Sequence, residues 1–296
     1  AARERAVAAC DAWVGIGGSP FQAEQSTWFV DHLLDDARRC AAHGKRMYYL
    51  GVGVNDPRDV AHPLARDAVR AAARVWTRDG TTATALRAVP GAPPVEAGVD
   101  LSHAYLRHAA FAPPEAGTVG CVLNFEDARQ YDAATVAELV AAPGLRDRRW
   151  RWLVQEDRPL PGSERALFAA LPATVRERFE LRAPDYATGS LDGLLRAWGT
   201  PQTLVTSRFH AAIIGAWAGA RVVAVARAAK VRGVAEDLGL ACVDDLTSAG
   251  TLRDAVERAT PVPRERLLAR ADAAGAASMA LLAEIAGSAG REQGRS

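Results

Sequence analysis

Three cationic side chains stand near the starts of two neighbouring helical patterns in the second half of the chain. Arg208 and His210 lie where the apolar run "TLVTS" gives way to the apolar helical pattern "RFHAAIIGAWAG", and Lys230 follows the next apolar run, "RVVAVA". A helix N-terminus carries a partial positive charge, which disfavours a cation there but attracts phosphate and carboxylate groups. An arginine fork binds the same anions in bidentate fashion. The pattern therefore predicts an anion-binding corner, with His210 as the proton carrier.

The same residues also permit a purely structural interpretation. With Ser207 as the N-cap, Arg208 would be the first helical residue and His210 the third. Arg208 could then form a salt bridge with a neighbouring loop, and His210 could be a satisfied capping residue. Residue types alone leave both interpretations open. The position of Lys230 at the next strand–helix junction favours the anion site, because consecutive junctions of a parallel sheet open onto one edge.

Short β-rich runs alternate with longer helical patterns along most of the chain, and this alternation predicts parallel sheets with helices on both faces. The Pro- and Gly-rich passage ending in "FAPPEAG" separates two such series. We therefore predict an α/β protein of two Rossmann-like domains facing a cleft, with residues 1–112 in the first and 113–262 in the second. Residues 263–296 are predicted to form a helix followed by a disordered polar tail.

Glycine-rich segments follow two predicted strands of the first half. "GIGGSP" and "GVGVND" each resemble part of a dinucleotide fingerprint but lack its third glycine. They are interpreted either as tight turns or as ligand-facing loops, since ligands of such folds bind at the carboxyl ends of strands. Gly17, Gly18 and Ser19 of the first segment are accordingly candidates for substrate binding.

Composition excludes several classes of function. The 296 residues are 49% hydrophobic and 24% charged, with a net charge of +1, which is typical of a globular protein and argues against nucleic-acid binding. No apolar run is long enough to span a membrane. The four cysteines are far apart, which is typical of reduced thiols in a cytosolic protein. The six histidines lack zinc-site spacing, so no metal is expected, and His103 and His108 are predicted to be surface residues.

The segment from Ser207 to Leu240 resembles the C-terminal signature of the polysaccharide pyruvyltransferase family, in which an S/M-R-L/F-H-A block precedes a small-residue helix, an apolar strand and a lysine-containing turn. The first half is similar to that family as well. "DAWVGIGGSPFQ" resembles its strand with G-G-G-S-x-x-Q, "GKRMYYLGVGVND" its K-P-V-x-x-x-G-x-G-I strand, and "VWTRDGTTATALR" its T-V-R-D-x-x-S-x-x-x-L segment.

The resemblance implies a GT-B-like fold, with an N-terminal acceptor domain and a C-terminal donor domain, and a reaction at a sugar. Members of the family transfer the pyruvyl group of phosphoenolpyruvate to a sugar diol as a cyclic ketal and release phosphate. Ser207, Arg208 and Lys230 would bind this donor substrate, and His210 would be the catalytic acid or base. Neither a metal nor a separate cofactor is implied. The acceptor would be a cell-envelope or secreted glycan precursor, handled in the cytoplasm or at the inner face of the membrane, where a lipid-linked glycan could be contacted.

Three departures from the family pattern bear on the site. The turn before Lys230 reads Arg227-Ala228-Ala229 instead of aromatic-Asp-Pro. Asn124, a further candidate for substrate binding, follows the first strand of the second half, where family members often carry arginine. The first domain is also expected to lack its usual first strand and G-x-x-N-x-G-D loop. The alternatives are a GT-B-type glycosyltransferase that uses a nucleotide sugar, and a non-catalytic relative that binds an anion or a sugar.

Overall fold

A computed structural model of the chain describes residues 2–22, 27–125, 132–156, 160–184 and 190–293, with side chains described through residue 287. The chain forms two compact units. The first contains Ala1–Tyr105 together with Leu268–Ser296, and the second contains Leu106–Leu267. Most of the C-terminal helix thus belongs to the first unit.

The first unit is built on a sheet of four parallel strands in the order β1-β2-β3-β4. The strands are β1 (Ala12–Ile16), β2 (Arg46–Val52), β3 (Arg74–Thr77) and β4 (Val95–Glu96). The helices are α1 (Ala2–Ala9), α2 (Trp28–Ala42), α3 (Pro63–Arg70), α4 (Gly80–Arg87), α5 (Ser102–Leu106) and α13 (Arg264–Gln293), with a 3₁₀ helix at Pro57–Ala61. The predicted alternation of strands and helices is confirmed.

Apolar side chains cover the two faces of this sheet with different partners. On one face, Tyr49 packs edge-on against Phe21, with ring centroids 5.0 Å apart, within a cluster that includes side chains of α2, α3 and α4. On the other face, Tyr48 and Trp76 pack with Leu281 of α13. The C-terminal helix therefore completes the hydrophobic core of the first unit.

The second unit contains a sheet of six parallel strands in the order β10-β9-β8-β5-β6-β7. The strands are β5 (Glu115–Val122), β6 (Arg149–Leu153), β7 (Phe179–Arg182), β8 (Pro201–Thr206), β9 (Arg221–Val225) and β10 (Ala241–Val243). The helices are α6 (Ala133–Ala141), α7 (Glu164–Ala170), α8 (Ala173–Arg176), α9 (Leu191–Trp198), α10 (Phe209–Trp217), α11 (Ala229–Leu238) and α12 (Ala249–Arg258). Strands β5, β6 and β7 extend the sheet to one side. The chain then crosses back to place β8 on the other side of β5, and β9 and β10 extend the sheet from there.

Several helix boundaries differ from the sequence-based predictions. The pattern "GSERALFAALPATVRERF" predicts one helix, but residues 164–176 form two, because Pro172 disfavours helical backbone at Leu171 and cannot donate a hydrogen bond. The pattern "STWFVDHLLDDARRCAAHG" predicts Ser26 as the N-cap of α2. Ser26 lies outside the described residues, and the N-cap of the helix is Thr27. The predicted disordered tail is wrong over residues 287–293, which continue α13.

The environment of one histidine also differs from the prediction. His103 is only 2% exposed, and burial lowers its pKa to about 4, against the opposing effect of Asp100. His108 is exposed, as predicted. All four cysteines are free thiols, two of them buried. Across the part of the chain that the structure describes, no helix is long and apolar enough to cross a membrane.

Candidate functional site

The predicted cationic corner lies at the carboxyl edge of the six-stranded sheet. Strands β5, β8 and β9 are neighbours, and Asn124, Ser207 and Arg227 follow their carboxyl ends. This is the edge where parallel α/β sheets bind ligands. The sheet order therefore brings segments together that are more than 80 residues apart in the sequence.

A buried polar contact joins the ends of β5 and β8. The Oγ atom of Ser207 accepts a hydrogen bond from the backbone N–H of Asn124 at 2.8 Å. It lies 2.8 Å from the carbonyl oxygen of Asn124 and 3.1 Å from its Oδ1 atom, the two acceptors available to its hydroxyl proton. Ser207 is fully buried and Asn124 is 8% exposed. These two predicted binding residues thus fix the backbone of the corner.

Because the hydroxyl of Ser207 is committed to Asn124, it does not cap the following helix. The N-cap of α10 is Arg208, in extended conformation, so the predicted numbering of the helix is wrong by one residue. Phe209 is the first helical residue and His210 the second. The backbone N–H of Arg208 donates instead to the Oγ1 atom of Thr206 at 3.0 Å.

The guanidinium group of Arg208 is held by two carboxylates. Its Nε and Nη2 atoms donate to the two carboxylate oxygens of Glu164 at 2.6 and 3.0 Å, and Nη2 also donates to Glu156 at 3.2 Å. Burial alone would lower the pKa of Arg208, but Glu164 and Glu156 together raise it above its ordinary value. Arg208 thus forms a salt bridge, as the structural interpretation of the sequence predicts.

Glu164, the bidentate partner of Arg208, was not singled out in the sequence. It is fully buried and is the first residue of α7, whose N-cap is Ser163. Its carbonyl oxygen accepts a 2.8 Å hydrogen bond from the indole Nε1 of Trp152 on β6. An acidic residue directly after a serine cap is an ordinary helix start, so nothing in the local sequence distinguishes it.

His210 and Lys230 lie in the first turns of adjacent helices. His210 is exposed, and its ring packs edge-on against Phe209 with centroids 5.1 Å apart. Lys230 is half-buried and is the second residue of α11, which packs beside α10. Between the two helices, the Nε atom of Arg227 donates to the carbonyl oxygen of Ser207 at 3.4 Å. The fold therefore places both predicted cationic side chains at this edge.

The N-termini of α10 and α11 share a further property. Their N-cap residues, Arg208 and Ala228, provide no side-chain hydrogen bond to the helix, whereas Ser163, Ser190 and Ser248 cap α7, α9 and α12. The first amide groups of an uncapped helix are suited to bind an anion. Two adjacent helices at the carboxyl edge thus present that chemistry together.

The glycine-rich segment of the first unit leads into a second polar cluster. Gly17 and Gly18 have φ values of 63° and 71°, which favour glycine, and Gly18 accepts a hydrogen bond from Gly53 N–H at 2.8 Å. These glycines therefore form a bend that is hydrogen-bonded to the end of β2 and to the segment that follows it. Ser19 Oγ is 3.0 Å from Asn55 Oδ1 and accepts from Nη2 of Arg78 at 3.1 Å.

Arg78 was not singled out in the sequence, yet it organises this cluster. It follows β3 and is 6% exposed, and desolvation lowers its pKa despite the nearby Asp100 and Asp79. A Cβ atom on Gly53 would lie 2.1 Å from its Nε atom, so only glycine leaves room for the guanidinium group. The signal that could have identified Arg78 is its position directly after a buried strand.

Within the described ranges, no group of three or more His, Cys, Asp or Glu side chains is arranged to hold a metal ion.

The fold is shared with several solved structures of GT-B-like enzymes. An α,α-trehalose 6-phosphate synthase from Burkholderia multivorans has a TM-score of 0.61 at 14% identity, covering 98% of this chain and 74% of that one. A putative UDP-N-acetylglucosamine 2-epimerase from Listeria monocytogenes has a TM-score of 0.59 at 14% identity, covering 96% and 76%. Anabaena Alr3699/HepE in complex with UDP has a TM-score of 0.55 at 11% identity, covering 87% and 77%.

These similarities show the fold: two α/β units with parallel sheets, of the GT-B-like type that the sequence predicted. No protein-family model matches the chain, and comparison with curated protein sequences gives no match.

Proposed function

We propose that the protein is a GT-B-type transferase that takes a nucleotide sugar as donor and passes its glycosyl group to a sugar or glycan acceptor. The observation that carries this proposal is the pair of adjacent, uncapped helix N-termini of α10 and α11, with Lys230 in the second. A diphosphate carries negative charge over two neighbouring groups, and two helix ends side by side are complementary to it.

The same arrangement suits the chemistry of glycosyl transfer. As the bond between the sugar and the diphosphate breaks, negative charge develops on the departing phosphate oxygen. Fixed amide dipoles and the ammonium group of Lys230 would stabilise that charge without reorganisation. His210, exposed in the first turn of α10, would supply a further hydrogen-bond donor or proton carrier.

Arg208 acts in this proposal as a positioning residue. Its bidentate bond to buried Glu164 ties the start of α10 to the start of α7, so the first amides of α10 are held in place. Support also comes from the solved structures that share the fold, since Alr3699/HepE is described in complexes with UDP and with UDP-glucose.

A second candidate is pyruvyl transfer from phosphoenolpyruvate to a sugar diol. The observation that favours it is the block Ser207-Arg208-Phe209-His210, which resembles the pyruvyltransferase signature and whose histidine is exposed beside the helix of Lys230. In that reaction His210 would protonate the enol carbon or remove a proton from the sugar hydroxyl, and the helix N-termini would hold the donor phosphate.

A donor competition distinguishes the two candidates. The protein is incubated with phosphoenolpyruvate and with UDP-, GDP- and dTDP-sugars, together with a panel of glucosyl, galactosyl and N-acetylmannosaminyl acceptors. Release of nucleoside diphosphate with a product heavier by one glycosyl unit supports the first proposal. Release of phosphate with a product heavier by a pyruvate ketal supports the second.

Variants link either activity to the corner. We expect Lys230→Met to weaken donor binding at least about tenfold, the loss of one charge-assisted contact of roughly 1.5–3 kcal/mol. His210→Ala should abolish turnover and retain the fold. His108→Ala, at another exposed histidine of the second unit, is the matched control and should be fully active. If the protein neither binds nor turns over any of these donors, the transferase proposal is refuted and the non-catalytic alternative is left.

A further inference from the structure

A pocket opens at the amino-terminal edge of the six-stranded sheet, opposite the carboxyl edge. It has a volume of about 280 Å³ and is lined by residues at or near the starts of three neighbouring strands. The strand register places Val119, Thr203 and Arg221 side by side there. Arg148 and Glu257 complete its polar wall. The pocket is therefore a different site from the helix N-termini of α10 and α11, which lie at the carboxyl edge.

Gln202 is oriented in this pocket by its neighbours. Its carboxamide oxygen accepts hydrogen bonds from Gly117 N–H at 3.1 Å and from Nη1 of Arg148 at 3.2 Å. Its own backbone N–H donates to the Oγ1 atom of buried Thr118 at 2.9 Å. Because the oxygen is already used twice, the side chain of Gln202 offers a ligand its NH₂ group, which is a donor.

Two guanidinium groups add further donors. Arg148 donates from Nε to the carbonyl oxygen of Gly144 at 3.4 Å and from Nη1 to Gln202, and its Nη2 atom makes no hydrogen bond to a described residue. Arg221, the first residue of β9, makes no side-chain hydrogen bond or ion pair with any residue in the described ranges. Glu257 is the one carboxylate of the lining, so these three charged groups sum to +1.

We propose that this pocket binds a small organic anion that also carries hydroxyl groups. Its phosphate or carboxylate would lie against Arg148 and Arg221, whose forks match such groups. Its hydroxyl groups would donate to Glu257 and accept from the NH₂ group of Gln202. A volume of 280 Å³ is that of roughly nine water molecules in the liquid. It is enough for a phosphate group attached to a chain of about three carbons.

The test uses the full chain, with glycerol 3-phosphate and inorganic phosphate as probes at constant ionic strength. Binding is measured by calorimetry, and amide hydrogen exchange locates it. We expect glycerol 3-phosphate to bind more tightly than phosphate and to protect residues 116–118, 143–148 and 201–203. Arg221→Ala should weaken both probes at least about tenfold, as expected for loss of one bidentate contact. Glu257→Gln should tighten phosphate by roughly two- to tenfold, because it removes a like charge.

Control variants keep the proposal refutable. Arg146→Ala removes an exposed arginine of the same segment that does not line the pocket, and it should bind both probes as the unchanged protein does. Arg221 is itself exposed, so its replacement should leave the fold intact. The proposal is overturned if neither probe protects the three segments at about 10 mM, a concentration at which even a Kd of 1 mM gives near saturation. It is equally overturned if protection occurs only at residues 207–210 and 228–231.

Discussion

Replacing Arg208 by methionine should destabilise the second unit severely, because it would leave the buried carboxylate of Glu164 without its partner. Glu164 is fully buried, Arg208 is 16% exposed, and the pair shares hydrogen bonds of 2.6 and 3.0 Å. Removing one member of a buried ion pair costs about 3–5 kcal/mol in the free energy of unfolding. In a unit of this size each kcal/mol lowers the melting temperature by roughly 2–4 °C.

A double-mutant cycle separates the charge effect from lost packing. Glu164→Gln alone should cost less, about 1–3 kcal/mol, because the amide is neutral and still accepts one hydrogen bond. Introduced into the Arg208→Met protein, it should recover part of the lost stability, up to about 2 kcal/mol, since it removes the unpaired charge. The coupling between the two positions should be about 2–3 kcal/mol. Urea unfolding followed by hydrogen exchange of the β8 amides reports on this unit alone.

The exposed pair Arg232–Asp244 provides the matched control in the same unit. Its side chains are 48% and 77% exposed, so the corresponding cycle with Arg232→Met and Asp244→Asn should give at most about 1 kcal/mol. The reasoning fails if Arg208→Met costs less than about 1 kcal/mol or if Glu164→Gln does not rescue it. Either result would favour the interpretation in which the guanidinium group of Arg208 binds a ligand.

Two further predictions concern the first unit. Gly53→Ala should lower the free energy of unfolding by about 1–3 kcal/mol, because the new methyl group would displace Arg78. The control Gly80→Ala has open space around it and should be neutral or stabilising. Equal stability of the two variants in thermal unfolding would contradict the packing argument. His103 has a pKa of about 4 when folded against about 6.5 when unfolded, so the unfolded chain takes up the proton first, and about 3 kcal/mol of stability should be lost as the pH falls from about 6.5 to 4. Replacement of His103 by Gln should flatten that slope, and replacement of the exposed His108 should not.

The sequence predicted those parts of the fold that depend on local pattern. The strands β5, β8 and β9 and the helices α10 and α11 were correctly anticipated, because apolar runs and helical periodicity are properties of neighbouring residues. Helix α4 was missed, since its Gly and Thr content gives it low helix propensity. Its cap, Asp79, which accepts from Thr82 N–H at 2.6 Å, was the available signal.

The candidate site was predictable in its location but not in its contacts. The alternation of strands and helices brought Arg208 and Lys230 to one edge, as expected from the topology of parallel sheets. The partner of Arg208 could not be predicted, because Glu164 is 44 residues away and the choice among acidic residues is made by tertiary packing. Sequence reasoning left the ligand-binding and salt-bridge interpretations open for that reason.

The return of α13 to the first unit has a consequence for how the chain is made on the ribosome. Tyr48, Leu50 and Trp76 pack against Leu281, which is synthesised more than 200 residues after them. At a rate of synthesis of roughly 5–20 residues per second, about 10–40 s pass before the part of α13 that packs on this surface is made. Meanwhile every strand of the second unit has been synthesised. The hydrophobic core of the first unit is therefore completed only after the strands of the second unit have been made.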